Sequence, residues 1–99
     1  MFDNNFEEVL DEAERIYKIH KKNKGEAWKD LPIDALAGGI KEEYYEWYEK
    51  WQKTLKGLRD GRKQEARESE EDQFLEILDI LNSCLIYGER LRLKIEGRK

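Results

Sequence analysis

The stretch from Phe74 to Tyr87 most constrains the fold. Read as a helix, it sets Phe74, Leu78, Leu81 and Leu85 on one face and Ile77, Ile80 and Cys84 on a second. Leu75 and Ile86 make a third. Leu91 and Leu93 continue the second and third faces, so the helix is expected to reach about Ile95. A helix that is apolar nearly all round has to be covered on every side. One short chain supplies only two or three other helices for that task, so a homo-oligomer, most simply a dimer, is expected to complete the fold. The only polar side chains between Phe74 and Tyr87 are Glu76, Asp79, Asn82 and Ser83. On a helical wheel they share one side, within about a third of a turn.

Buried carboxylates are costly unless they are paired, protonated or metal-bound. No Lys or Arg lies between Phe74 and Gly88 to pair with Glu76 and Asp79. The natural neighbours are a second acid pair, Glu43 and Glu46, in the helical segment Gly39 to Trp47. Each pair is one turn apart, which sets the side chains roughly 5–6 Å from each other at Cβ. Acids gathered only with acids require a cation. Oxygen donors without His or Cys at ligand spacing select a hard one, Mg²⁺ with Mn²⁺ as its substitute. Zinc is disfavoured, and a di-iron bundle needs Glu-x-x-His pairs, whereas Tyr17 stands three residues before His20. An isolated Glu-x-x-Glu is more often an ordinary charged helix surface. The apolar surroundings of Glu76 and Asp79 tip the balance toward a metal site.

The remaining sequence points to an all-α chain, a small bundle of three to four helices forming one domain over residues 1–99. Helix formers dominate, Pro occurs once, and strand-type runs of Val, Ile and Thr are missing. The first helix is expected from about Asn5 to Lys22, with Asp3, Asn4 or Asn5 as cap. Its buried stripe is Phe6, Val9, Leu10, Ala13, Ile16, Tyr17 and His20, and Asn23-Lys24-Gly25 ends it. Trp28 sits in a short connector before Pro32, either as a plug at the core edge or as a flat wall for a ligand. The second helix runs from Ile33 into the fifties, with Ile33, Leu36, Ile40, Tyr44, Trp47, Trp51 and Leu58 as its inward stripe. Gly38-Gly39 suggests close backbone approach or a kink. The charged region from about 53 to 73 reads as a helix end, a connection and the run-up to the last helix, which a capping signal places near Ser69.

With 42% charged residues and a formal net charge of −4, the chain is a poor non-specific nucleic-acid binder. Cys84 reads as a small buried core residue of a protein kept in a reducing compartment. The acidic N-terminal stretch lacks the apolar run of a secretory signal. The longest uncharged run in the last helix, Ile80 to Gly88, is far short of the roughly 20 residues of a membrane span. A soluble, cytoplasmic protein without membrane contact is expected.

Glu42-Glu43-x-x-Glu46 followed on a later helix by Glu76-x-x-Asp79, with a tryptophan upstream, resembles the E-E-x-x-E … E-x-x-D signature of the MazG-like all-α nucleoside triphosphate pyrophosphohydrolases. The resemblance extends from about Lys22 to Leu93. It implies that Glu43, Glu46, Glu76 and Asp79 bind Mg²⁺ and that Glu42 orients or activates the attacking water. It also implies that Trp28 stacks on the base, that Asn82 contacts the nucleotide, and that an NTP or dNTP is hydrolysed to monophosphate and pyrophosphate in a dimer or tetramer. Phosphate-facing cations would come from Lys24, Lys29 or Lys41, or from Arg90 and Arg92 of a neighbouring subunit. Two departures stand out: a longer interval between Glu46 and Glu76, and Ser83 where some relatives carry an aromatic residue. The rival reading is a non-catalytic helical interaction module whose oily last helix meets a partner.

Overall fold

The computed structural model describes residues 4–25 and 27–98. The capping role of Asp3 lies outside the described residues, as do the side chains of Asn4, Asn5 and Lys24. Three α-helices carry the fold: α1 (Asn4–Lys24), α2 (Ile33–Arg59) and α3 (Lys63–Glu96), with a 3-10 turn, Ala27–Asp30, between the first two. No strand occurs among the described residues, as the helix-former composition predicts. No helix among them is long and apolar enough to cross a membrane.

The α2–α3 pair is a long antiparallel hairpin. The charged region that reads as a connection is almost entirely helical, and only Asp60–Arg62 interrupts it. Long helices rich in Glu, Lys, Arg and Gln persist in water where propensity and packing on one face agree. The turn is closed by two backbone bonds, Arg62 N–H to the Gly57 carbonyl at 2.8 Å and Gly61 N–H to the Leu58 carbonyl at 3.4 Å. Gly61 takes φ +74°, so this is the paired-bond helix stop that a glycine past the helix end allows. Gly25, with φ +69°, ends α1, its N–H on the Lys21 carbonyl at 2.8 Å.

The inner seam of the hairpin is small and polar. Gly57, Thr54, Ala66 and Ser69 are buried there. Ser69 does not begin a helix; its hydroxyl, six residues inside α3, donates to the Lys50 carbonyl at 2.6 Å. Gln73 bridges the seam, accepting from Trp47 Nε1 at 3.2 Å and donating to Thr54 Oγ1 at 2.8 Å. The close helix approach expected at Gly38-Gly39 occurs instead at Gly57, where a Cβ would lie 3.2 Å from the Ala66 nitrogen; nothing stands within 4 Å of one added at Gly38 or Gly39.

The second helix therefore turns a different face inward from the one its apolar pattern predicts. Tyr44, Trp51 and Leu58 are exposed, because Glu43, Trp47, Lys50, Thr54 and Gly57 take the side toward α3. Helix α1 packs on α3 and is held there by Asn82, whose side-chain N–H donates to the Ala13 carbonyl at 2.9 Å. Ala13 and Leu78 are buried, and Leu78 is the only large side chain with no exposure among the described residues. Phe74, Leu75, Ile77 and Leu85 of α3 remain exposed. Cys84, expected in the core, is also exposed.

Candidate functional site

One antiparallel crossing brings both acid pairs together. Glu43 and Glu46 stand on the α2 side, Glu76 and Asp79 on the α3 side. Ser83, one turn beyond Asp79, donates its hydroxyl to Glu43 Oε1 at 2.8 Å, fixing the register of the two helices. The other oxygen, Glu43 Oε2, is buried with no hydrogen-bond partner, and so is Glu76 Oε2.

The electrostatics follow from that crowding. Burial raises Glu43 above the usual carboxylate range; the Ser83 hydrogen bond opposes this, and the charges of Asp79, Glu46 and Glu76 add to it. Glu76 is raised by burial and by Glu46, with which its protonated form shares a hydrogen bond, and further by Asp79; Lys50 opposes. Asp79 is raised by burial, with His20 opposing and Glu46 adding. Lys50 and His20 thus each soften one of the acids. Neither cancels the net effect, which is upward for all three groups.

Glu43 and Asp79 open on a cleft of about 390 Å³ between α1, the 3-10 turn and the hairpin, lined also by Asn82, Ser83, Trp28 and His20 among others. An apolar cavity of about 270 Å³ adjoins it through Tyr17, Trp28, Asn82 and Ile86. Trp28 is held from both ends. Its Nε1 donates to Tyr17 Oη at 3.3 Å, and its carbonyl accepts from Arg90 at 3.0 Å. Arg90 also donates to the carbonyls of Lys29 at 3.3 Å and Leu31 at 2.7 Å, so it clamps the 3-10 turn of its own chain. Arg92 is engaged by Glu89 and Glu96. Both arginines are thus engaged by groups of their own chain.

Of the residues that sequence reasoning singled out, Trp28, Glu43, Asp79 and Asn82 meet around the cleft; Glu46 and Glu76 act on Glu43 electrostatically without lining it. Glu42 is exposed and takes no part in these interactions. Among the described residues, no three carboxylate, imidazole or thiol groups stand in the arrangement of a ready-made metal shell. Sequence reasoning missed three contributors. Ser83 has a legible signal, lying four residues after Asp79 on the polar side of α3. His20, whose spacing puts it on the buried stripe of α1, is instead exposed, lines the cleft and acts on Asp79, because α1 crosses α3 at the level of the acids. Lys21 lines the cleft beside it.

No family model matches this chain, and no curated protein or solved structure matches it significantly.

Proposed function

We propose that this protein is a Mg²⁺-dependent nucleoside triphosphate pyrophosphohydrolase acting as a homo-oligomer. The observation that supports it best is the acid group itself: Glu43, Glu46, Glu76 and Asp79 converge, with buried, unpartnered oxygens on Glu43 and Glu76. Such oxygens are satisfied by a proton or by a hard cation, and the donor set is all oxygen. The side chains fit such an ion in chemistry; closing around it requires the carboxylates to turn about their own torsions.

When bound, Mg²⁺ would supply charge neutralisation at the phosphates and activation of water. The chain's own residues would do the rest. Glu43, Glu46, Glu76 and Asp79 hold the ion, and Ser83 fixes the Glu43 carboxylate. Trp28, pinned by Tyr17 and Arg90, presents a wall against which a base can stack. Asn82 has its N–H committed to Ala13, which leaves its carbonyl oxygen to accept a hydrogen bond from a substrate. Glu42 enters through the family resemblance alone, as the group that orients water.

The test is incubation with a panel of NTPs and dNTPs and Mg²⁺, with product analysis for monophosphate and pyrophosphate. Turnover lost in Glu43→Gln and Asp79→Asn supports the reading, and Glu42→Gln tests the water-orienting role. Turnover on none of the nucleotides overturns it. The non-catalytic interaction module is favoured by a specific observation as well, the run of exposed aromatic residues on α2. It predicts no turnover and no change in melting temperature on adding Mg²⁺.

A further inference from the structure

The cleft beside the acids has two unlike walls. The hairpin contributes Glu43 and Asp79, and α1 contributes His20 and Lys21. Among the described residues, His20 and Lys21 are the basic side chains that line it. Three other cations are placed elsewhere. Arg90 and Arg92 are engaged by their own chain, and Lys29 holds its Nζ 5.7 Å from the centroid of the Trp28 ring. His20 is near enough to Asp79 for its charge to oppose the rise of that carboxyl, so acid and base stand within electrostatic reach across the cleft.

The two walls narrow the ligand. A bare divalent cation suits Glu43 and Asp79 but gains nothing from the α1 wall, where a charged lysine repels it. A bare polyphosphate suits the α1 wall and is repelled by the acids. An organic polycation meets the same objection as the metal ion. A polyphosphate that carries its own divalent cation turns the metal to one wall and its oxygens to the other. The imidazole offers an N–H donor in either protonation state, and the lysine ammonium offers three. Helix α1 also sets an order along the site. Leu10 and Ala13 line the apolar cavity, Tyr17 lines both spaces, and His20 and Lys21 follow one turn later at the acid cleft. Ala13 and His20 are about 10 Å apart along the axis. The two basic residues therefore meet the charged end of a ligand and not the end that enters the apolar cavity.

We propose that His20 and Lys21 bind the phosphate chain of a metal–triphosphate ligand, across the cleft from Glu43 and Asp79. This rests on the hydrolase reading and adds to it the residues that recognise phosphate.

The experiment is calorimetric titration of the full chain at one pH, first with Mg²⁺ alone and then with inorganic tripolyphosphate in excess Mg²⁺. KM and kcat are measured beside it on any nucleotide that turns over. Both side chains are exposed, so His20→Ala and Lys21→Ala should keep the helical signal and the melting temperature. Each should weaken tripolyphosphate about tenfold, the loss of one hydrogen bond to a charged group, and Lys21→Arg should restore it. Mg²⁺ alone should bind as tightly as before or more tightly, because each substitution removes a basic group from beside the acids. With nucleotides the same loss should appear in KM and not in kcat, whatever the base. A wild type that does not bind tripolyphosphate overturns the proposal, and so does an unchanged affinity in the double variant. Equal weakening of Mg²⁺ alone overturns it too, since the residues would then merely support the acids. Weaker nucleotide binding with unaltered tripolyphosphate overturns it in favour of contacts to base or sugar. Tripolyphosphate bound through His20 and Lys21 without turnover of any nucleotide supports the phosphate contacts and overturns the hydrolase reading alone.

Discussion

Replacing Glu43 by Gln should stabilise the metal-free protein. The Glu43 carboxylate spends one oxygen on Ser83 and buries the other without a partner, among Asp79, Glu46 and Glu76. Leaving a buried polar atom unpaired costs about 1–3 kcal/mol. Because Glu43 is only half-buried, solvent screening brings the expected gain toward the low end, about 1 kcal/mol. For a domain of this size that is roughly 4–8 °C in melting temperature. The gain should depend on pH with a definite sign. A carboxyl whose folded-state pKa is raised holds more protons in the folded chain than in the unfolded one. Stability therefore falls as pH climbs from the usual carboxylate range through the raised value. Glu43, Glu76 and Asp79 all act in this direction. Melts of the wild type and Glu43→Gln should thus converge near pH 4 and separate at pH 8 in the absence of divalent ions. Mg²⁺ should reverse the order. At about 100 times its dissociation constant a ligand adds about 2.7 kcal/mol to the form that binds it, and the variant lacks one of its donors. A Glu43→Gln protein less stable than wild type by the same amount at every pH, and equally indifferent to Mg²⁺, would refute the reasoning. It would reduce Glu43 to the acceptor of the Ser83 hydrogen bond.

Three further outcomes follow from the packing. Arg90→Ala removes a cation that holds the carbonyls of Trp28, Lys29 and Leu31; it should cost about 2 kcal/mol and make Trp28 more accessible to a fluorescence quencher. Gly57→Ala forces a methyl against the Ala66 backbone, and denaturant unfolding should show a loss of about 1–3 kcal/mol. Gln73→Leu strands the Trp47 indole N–H in the seam and leaves the Thr54 hydroxyl with only its bond to the Lys50 carbonyl, for a loss of about 1–3 kcal/mol by the same measurement.

The all-helical fold, the bounds of α1 and the convergence of two acid pairs are legible in the sequence, because spacing on one helix is fixed by local geometry. What spacing cannot show is which helix lies against which face. The apolar pattern of α2 points to Tyr44, Trp51 and Leu58 as the inward side, yet α3 meets the adjacent side, where Gly57 and Ala66 permit a closer approach. Small residues leave no hydrophobic signal, and buried Thr54 and Ser69 resemble surface residues until their hydrogen bonds are seen. His20 illustrates the same limit. Its place in the first helix is readable, but its effect on Asp79 depends on where α1 crosses α3. The charged region around the turn misled for another reason: helix propensity was high throughout, and only Gly61 marked the stop.

The three-residue turn at Asp60–Arg62 has a kinetic consequence. Contacts near the turn, such as Gly57 with Ala66, join residues close in sequence, whereas Glu43 and Ser83 are 40 residues apart. Loop closure favours the near contacts first, so the hairpin should zip from the turn outward and bring the carboxylates together late. Their mutual repulsion then falls after the rate-limiting step. Relieving it should slow unfolding and leave the folding rate almost unchanged, as for any interaction absent from the transition state. Gly57→Ala, at the closed end, should instead slow folding.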